Sequence, residues 1–406
     1  MPFSIVSHRL RDEPSFRKFI ASRVLSSLSF QGVAMALGWL VYDKTHNAYD
    51  LGFIGLSQFL PMVLLTFVVG HVADRFDRRR IGLACQLVEA ATVAFLAAGV
   101  LMGWLTVPLI FAAVAVLGAA QAFERPTMAA LLPGIVPGAL LPSAIATSTS
   151  FMQTALVLGP SVGGLLYGLS PVAPFAVAAV FFVAASAAVT AIERVERTER
   201  REPVSLRSVF AAVGFVRRRP VILGTISLDL FAVLLGGATA LLPIYARDIL
   251  HAGPESLGLL RAAPAIGAVA MSLLLSRLPL KHGVGMKMLI SVAAFGAATV
   301  VFALSTNIVL SIAMLLALGA ADTVSVVIRS SLVQLLTPDD MRGRVNAVNS
   351  LFIGTSNQLG EFESGTVAGL IGAVPACLVG GIGTLLVVLL WTRLFPDLRR
   401  VDTLEG

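Results

Sequence analysis

Long apolar runs, separated by short charged or glycine-rich intervals, fill this chain from one end to the other. A helix needs about 20 mainly apolar residues to cross the hydrocarbon core of a bilayer. On that measure twelve spans are predicted: 16–42, 51–74, 80–103, 106–131, 140–168, 172–193, 220–246, 256–278, 285–304, 307–332, 343–372 and 374–395. The connections near 103–106 and 304–307 are very short. The longest non-apolar stretch, RVERTERREPVSLRSVFAAVGFVRRR at 194–219, divides the spans six and six. The expected organisation is a first six-helix bundle over 1–193, a central loop over 194–219 and a second bundle over 220–406.

Composition strengthens this reading. Of 406 residues, 57% are hydrophobic and 13% charged, against about 45–50% and about 25% in soluble domains. The excess continues along the whole chain, which disfavours a soluble protein with a large core and points to an all-α polytopic membrane protein. The net charge of +7 is explained by its placement. With the N-terminus inside, the inner segments hold Arg9, Arg11, Arg17 and Lys18, then Arg75, Arg78, Arg79 and Arg80. The central loop adds Arg194, Arg197, Arg200, Arg201, Arg207 and Arg217–Arg219. Arg277, Lys281, Lys287, Arg342, Arg344, Arg393, Arg399 and Arg400 complete the inner set, while the outer segments hold little beyond Lys44 and Arg247. Lysine and arginine retained on the cytoplasmic side put both termini inside, and no nucleic-acid partner is needed to explain the basic charge. Cys85 and Cys377 sit in apolar runs and suggest neither a disulfide framework nor a metal site. The N-terminal stretch lacks a signal-peptide core, so the first span is expected to insert uncleaved.

The halves repeat. At an offset of 201, LGAA at 117–120 falls on LGAA at 318–321, and Pro137, Phe151, Gly159, Gly164 and Gly168 fall on Pro338, Phe352, Gly360, Gly365 and Gly369. Near spans 2 and 8 the offset is 203, where Gly55 and Pro61 meet Gly258 and Pro264. Two parallel halves related by an axis along the membrane normal form one of the known transporter architectures.

These residues resemble the major facilitator superfamily. Gly70-His-Val-Ala-Asp74-Arg75-Phe-Asp77-Arg78-Arg79 is similar to that family's signature between its second and third helices, with Asp77 where glycine is usual. Gly159-Pro160-Ser-Val-Gly163-Gly164 in span 5 is similar to its exporter signature, with Ala155 where an upstream glycine is usual. The segments QAFERPTMAALLPGIVP (121–137) and RGRVNAVNSLFIGTSNQLGEFESG (342–365) resemble the branch of enterobactin exporters and macrolide efflux proteins. A charged residue is absent from span 4 until Glu124, so the outer-half arginine common in drug/proton antiporters has no counterpart.

The resemblance implies a latch on the cytoplasmic side, with Asp74 closing it and Arg75 and Arg78 in support. A plain basic inner loop would not need the aspartates, and the second-half stretch SRLPLKHGVGMK keeps the basic charge without one. In span 5, Gly159, Pro160, Gly163 and Gly164 read either as packing glycines, which let backbones approach in lipid, or as a pliable joint with a bend at Pro160. Ionisable groups within a membrane are costly and usually functional. Asp229 in span 7 and Asp322 in span 10 lead the candidates for a proton or substrate site, followed by Glu361, Glu363 and Glu124. Gln121 aligns with Asp322 in the repeat and is expected to face it across the pseudo-axis, and Arg23 and Arg329 are the candidate cations. Glu89 is expected to be structural, because span 3 is peripheral in the resembled fold.

No phosphate-cradling glycine loop and no HExxH or cysteine cluster occurs, which argues against an ATP-driven pump, a metal site or any cofactor. The expected function is secondary active transport across the bacterial inner membrane. The protein is expected to export a small organic molecule such as a drug, macrolide or siderophore by alternating access, driven by protons, as a monomer. An importer or uniporter of a small metabolite is the alternative. A membrane-embedded enzyme on lipid-linked substrates would need clustered polar groups at one face, and none is evident. A scaffold or receptor is disfavoured by the buried carboxylates.

Overall fold

The computed structural model describes residue 10 and residues 12–193, 206–278, 280 and 282–403. Arg9, Arg11, Arg194, Arg197, Arg200, Arg201 and Lys281 of the expected inner set lie outside these residues. The first half consists of α1 (Pro14–Thr45), α2 (Ala48–Arg75), α3 (Arg78–Met102), α4 (Val107–Ile135), α5 (Leu141–Leu169) and α6 (Ala173–Thr190). After α7 (Leu206–Arg217), the second half consists of α8 (Pro220–Leu235), α9 (Pro254–Arg277), α10 (Val284–Leu304), α11 (Ile308–Leu335), α12 (Asp339–Ile371) and α13 (Ala373–Leu394), and closes on a short α14 (Pro396–Arg400). No strand occurs among the described residues. The fold is therefore twelve long helices in two six-helix bundles.

Helix ends follow local chemistry. Asp77 caps α3, its Oδ1 accepting from the backbone N–H of Arg79 at 2.9 Å. Asn307 caps α11 by accepting from Val309 and Leu310 at 2.8 and 3.2 Å. Gly103 ends α3 at φ 75°, the left-handed conformation that closes a helix without Cβ strain.

Eleven described stretches are long and apolar enough to cross a membrane. The twelfth predicted span is α12, a helix of 33 residues diluted by Arg344, Asn346, Asn349, Asn357, Gln358, Glu361 and Glu363. Polar groups at that density in a spanning helix are tolerated where they face protein or a water-filled cavity.

Two expectations need correction. The span predicted over 220–246 is not one helix: α8 stops at Leu235, Gly236 and Gly237 interrupt it, and the chain continues as a tight turn at Ala238–Leu241 and a wide π turn at Tyr245–Ile249. Two successive glycines lower the helical preference, and Ala238 N–H turns back to Gly236 O at 2.7 Å. The stretch read as central loop also contains a helix, α7, whose Ala212 and Val216 pack on Val333, Val345 and Val348.

The chain divides into two compact units. One comprises 1–44, 57–203 and 253–262; the other comprises 45–56, 204–252 and 263–406. The first turns of α2 and α9 thus each belong to the unit opposite the rest of their helix. Burial follows the repeat. In α3 the buried Gly82, Gln86, Glu89 and Val93 correspond at an offset of 203 to the buried Gly285, Leu289, Val292 and Gly296 of α10. In α4 the buried Leu117, Gly118, Glu124 and Met128 correspond at 201 to Leu318, Gly319, Ser325 and Arg329 of α11, also buried.

Candidate functional site

In the second unit, Asp229 of α8 and Arg329 of α11 form a buried ion pair, Arg329 Nη1 donating to Asp229 Oδ2. Both lie at 3–4% exposure, so neither charge is solvated in any other way. Asp229, Asp322 and Ser325 line one small cavity with Val233, Val292 and Phe295. The hydroxyl of Ser325 and Nε of Arg329 are buried and find no partner. The cluster therefore holds two carboxylates, one guanidinium and a spare hydroxyl against an apolar wall. A second acid beside a paired one is an excess negative charge that a proton or a cationic group would neutralise.

In the first unit, Gln121 and Glu124 belong to a different arrangement. Glu124 accepts from Ser26 Oγ at 2.8 Å, from Gln86 Nε2 at 2.9 Å and from Gln121 Nε2 at 2.9 Å. Gln121 Nε2 also donates to Glu89 Oε1 at 2.6 Å, and Gln121 Oε1 accepts from Arg125 Nε at 2.9 Å. Arg23 is partly buried within electrostatic reach of Glu124. Glu89, expected to be structural, is fully buried and joined to Gln121, because its position on α3 turns it toward α4. Ser26, Gln86 and Ser325 are further polar participants that the sequence did not single out. A signal for two of them existed: the offsets place Ser26 on Asp229 and Glu124 on Ser325, whereas Gln86 falls on the apolar Leu289.

The charge knot at 70–80 is also divided. The side chain of Asp74 lies outside what the structure describes, as does the burial of Gly70. Arg78 Nη1 donates to the carbonyl of Ala130 at 2.8 Å and Arg79 Nη2 to that of Thr190 at 2.7 Å. These arginines tie the start of α3 to the C-terminal part of α4 and to the end of α6, where the Thr190 carbonyl lacks a helical partner. Arg75 is exposed.

The α5 motif is a set of backbone approaches. A Cβ on Gly163 would lie 2.7 Å from Cα of Gly32 in α1, and one on Gly164 would lie 2.6 Å from the carbonyl oxygen of Pro254 at the start of α9. The second unit repeats the arrangement, with Gly365 of α12 at 2.5 Å from Cα of Gly52 in α2. The helix runs unbroken through Pro160. Glu361 and Glu363 are partly buried on α12; Glu361 lies against Gly55, and Glu363 accepts from Ser364 Oγ at 3.2 Å. They stand apart from the Asp229 cavity, whose lining contains neither.

Two six-helix halves with a buried acid cluster define a membrane transporter of the major facilitator type. The family described as transmembrane secretion effector matches residues 10–405, and the chain belongs to it. The enterobactin exporter EntS of Citrobacter koseri is 24% identical over 96% of this chain and 94% of its own length. EntS of Escherichia coli O1:K1 / APEC is 23% identical over the same shares. Among solved structures, the nucleoside transporter NupG superposes with a TM-score of 0.71 at 15% identity, covering 94% of this chain and 99% of that one. A bacterial homologue of the iron transporter ferroportin gives 0.72 at 16% identity, covering 95% and 99%. At these identities the structures establish the fold alone.

Proposed function

We propose that this transporter exports a small organic molecule (a drug, macrolide or siderophore-like compound) by proton-coupled alternating access across the bacterial inner membrane, with both termini cytoplasmic. The observation that carries the proposal is the Asp229–Arg329 pair with Asp322 beside it in one cavity. A proton arriving on this cluster weakens the hold of the acids on Arg329; its departure restores it. Export is supported by the enterobactin exporters among the relatives and by the α5 motif. Asp74 and Arg75 form the cytoplasmic latch in this scheme, while Arg78 and Arg79 anchor α3 beneath it.

Uptake of enterobactin and of a macrolide into inverted membrane vesicles tests the reading. Uptake of at least one is expected to collapse when a protonophore is added. Asp322→Asn is expected to abolish proton-driven uptake and retain counterflow of the same compound. Protonophore-insensitive uptake, or unchanged coupling in both Asp229→Asn and Asp322→Asn, would overturn the scheme. Asp74→Asn is expected to slow turnover without changing the amount of folded protein.

A further inference from the structure

The hydrogen-bond inventory of the first unit leaves a place for one proton. Glu124 is supplied as an ionised carboxylate: three donors reach it, Ser26 Oγ serving both oxygens at 2.8 and 3.1 Å. Glu89 is not so supplied. Its Oε1 receives one amide hydrogen of Gln121, and its Oε2 is buried with no partner among the described residues. One turn earlier on the same face of α3, Gln86 Oε1 is likewise buried with no partner. Both orphan atoms are acceptors, and nearly all buried polar atoms in native proteins have partners. A hydrogen on Glu89 Oε2 converts one of these acceptors into a donor.

Charge argues the same way. Gln121 Nε2 donates to both carboxylates, so two ionised groups would meet on one amide where no water reaches them. The cations facing the pair are Arg125 of α4 and Arg23 of α1. Arg125 commits its Nε to Gln121 Oε1 and lies over the ring of Phe30 at 5.6 Å. Cys85 is the remaining titratable neighbour on α3, and α6, packed on α3, has no charged residue in APFAVAAVFFVAASAAVT. Nor does packing require a carboxyl: the corresponding residue of the second unit is the buried Val292.

We infer that Glu89 carries a proton on Oε2 in the resting transporter, beside an ionised Glu124, and is the proton-exchanging residue of the first unit. The use of this proton in turnover rests on the proton-coupled reading; its presence does not.

Infrared difference spectroscopy on the purified full chain at neutral pH tests the assignment. Wild type minus Glu89→Gln is expected to show the loss of one neutral-acid carbonyl band and the gain of one side-chain amide band, with the backbone amide bands and melting temperature unchanged. Glu89→Asp is expected to keep that band at a shifted frequency. Loss of ionised-carboxylate bands instead would overturn the assignment. Should Glu89→Gln fail to fold, Glu124→Gln serves: the neutral-acid band is expected to persist, and its disappearance would place the proton on Glu124 and overturn the proposal. A band that behaves as expected in a protein whose uptake ignores protonophores supports Glu89 as the proton holder and overturns the coupled reading alone.

Discussion

In the first unit Ser26, Gln121 and Glu124 stand where the second has Asp229, Asp322 and Ser325. The first unit surrounds its buried acids with neutral donors: Ser26, Gln86 and Gln121 reach Glu124, and Gln121 reaches Glu89 as well. The second gathers it around one cavity: Asp229 and Arg329 form a buried ion pair, Asp322 stands beside them as a second acid, and the Ser325 hydroxyl is left over. A distributed network loses one bond at a time, whereas a lone pair fails as a unit. The same positions in an internal repeat have thus become a supported region and an exposed point of failure.

The largest effect is expected where that point is struck. Arg329→Met leaves Asp229 buried and unpaired, which costs about 3–5 kcal/mol, and should remove most of the monodisperse protein on size exclusion. The double variant Asp229→Asn/Arg329→Met should recover much of it. Gly163→Ala comes next. Its new methyl would meet the backbone of Gly32, and overpacking of this kind costs about 1–3 kcal/mol, read as a lower melting temperature. Ser26→Ala should cost only about 0.6–1.7 kcal/mol, the range of single interhelical hydrogen bonds in membranes. Ser325→Ala, at the position matching Glu124, should cost least, because its hydroxyl has no partner to lose. If Ser26→Ala proved as damaging as Arg329→Met, the contrast between the units would fail.

Outside the membrane, a milder pH effect is expected. Asp402 accepts from His282 Nδ1 at 2.9 Å and from the backbone N–H of Gly283 at 2.8 Å, which holds its carboxyl below the usual range. A carboxyl lowered in the folded state contributes stability above its unfolded value, about 3.9, and loses it as pH falls through the folded one. The protection of the Gly283 amide, taken as its intrinsic exchange rate over the observed one at each pH, should therefore fall on acidification from about pH 5 downward, and Asp402→Asn should flatten that dependence.

Much of this organisation is legible in the sequence. Length and apolarity locate all twelve helices, and the repeat offsets anticipate which faces are buried. What escapes is decided by tertiary partners. Glycines 236 and 237 look like ordinary small residues in an apolar run, and nothing local says that the helix breaks there. The residues of α7 are too few and too basic to count as a span, so only the groove that receives them reveals the helix. Asp229 and Arg329 are both visible as intramembrane charges, but they lie a hundred positions apart and no periodicity joins them. Glu89 is visible as a buried charge and its spacing from Gln86 puts both on one face, but only the structure shows which side chains of α4 meet it.

The interruption after α8 has a mechanical consequence. Carbonyls at the end of α8 have no further turn to receive, and the backbone of Val233 and Leu234 lies against Gly360 of α12 while that of Leu235 meets Gly380 of α13. Bare backbone on both sides transmits displacement directly, without a side chain to absorb it. Asp229 lies less than two turns upstream of these contacts. The end of α8 is thus seated on two glycines, and any side chain added at Gly360 or Gly380 would press directly on its last carbonyls.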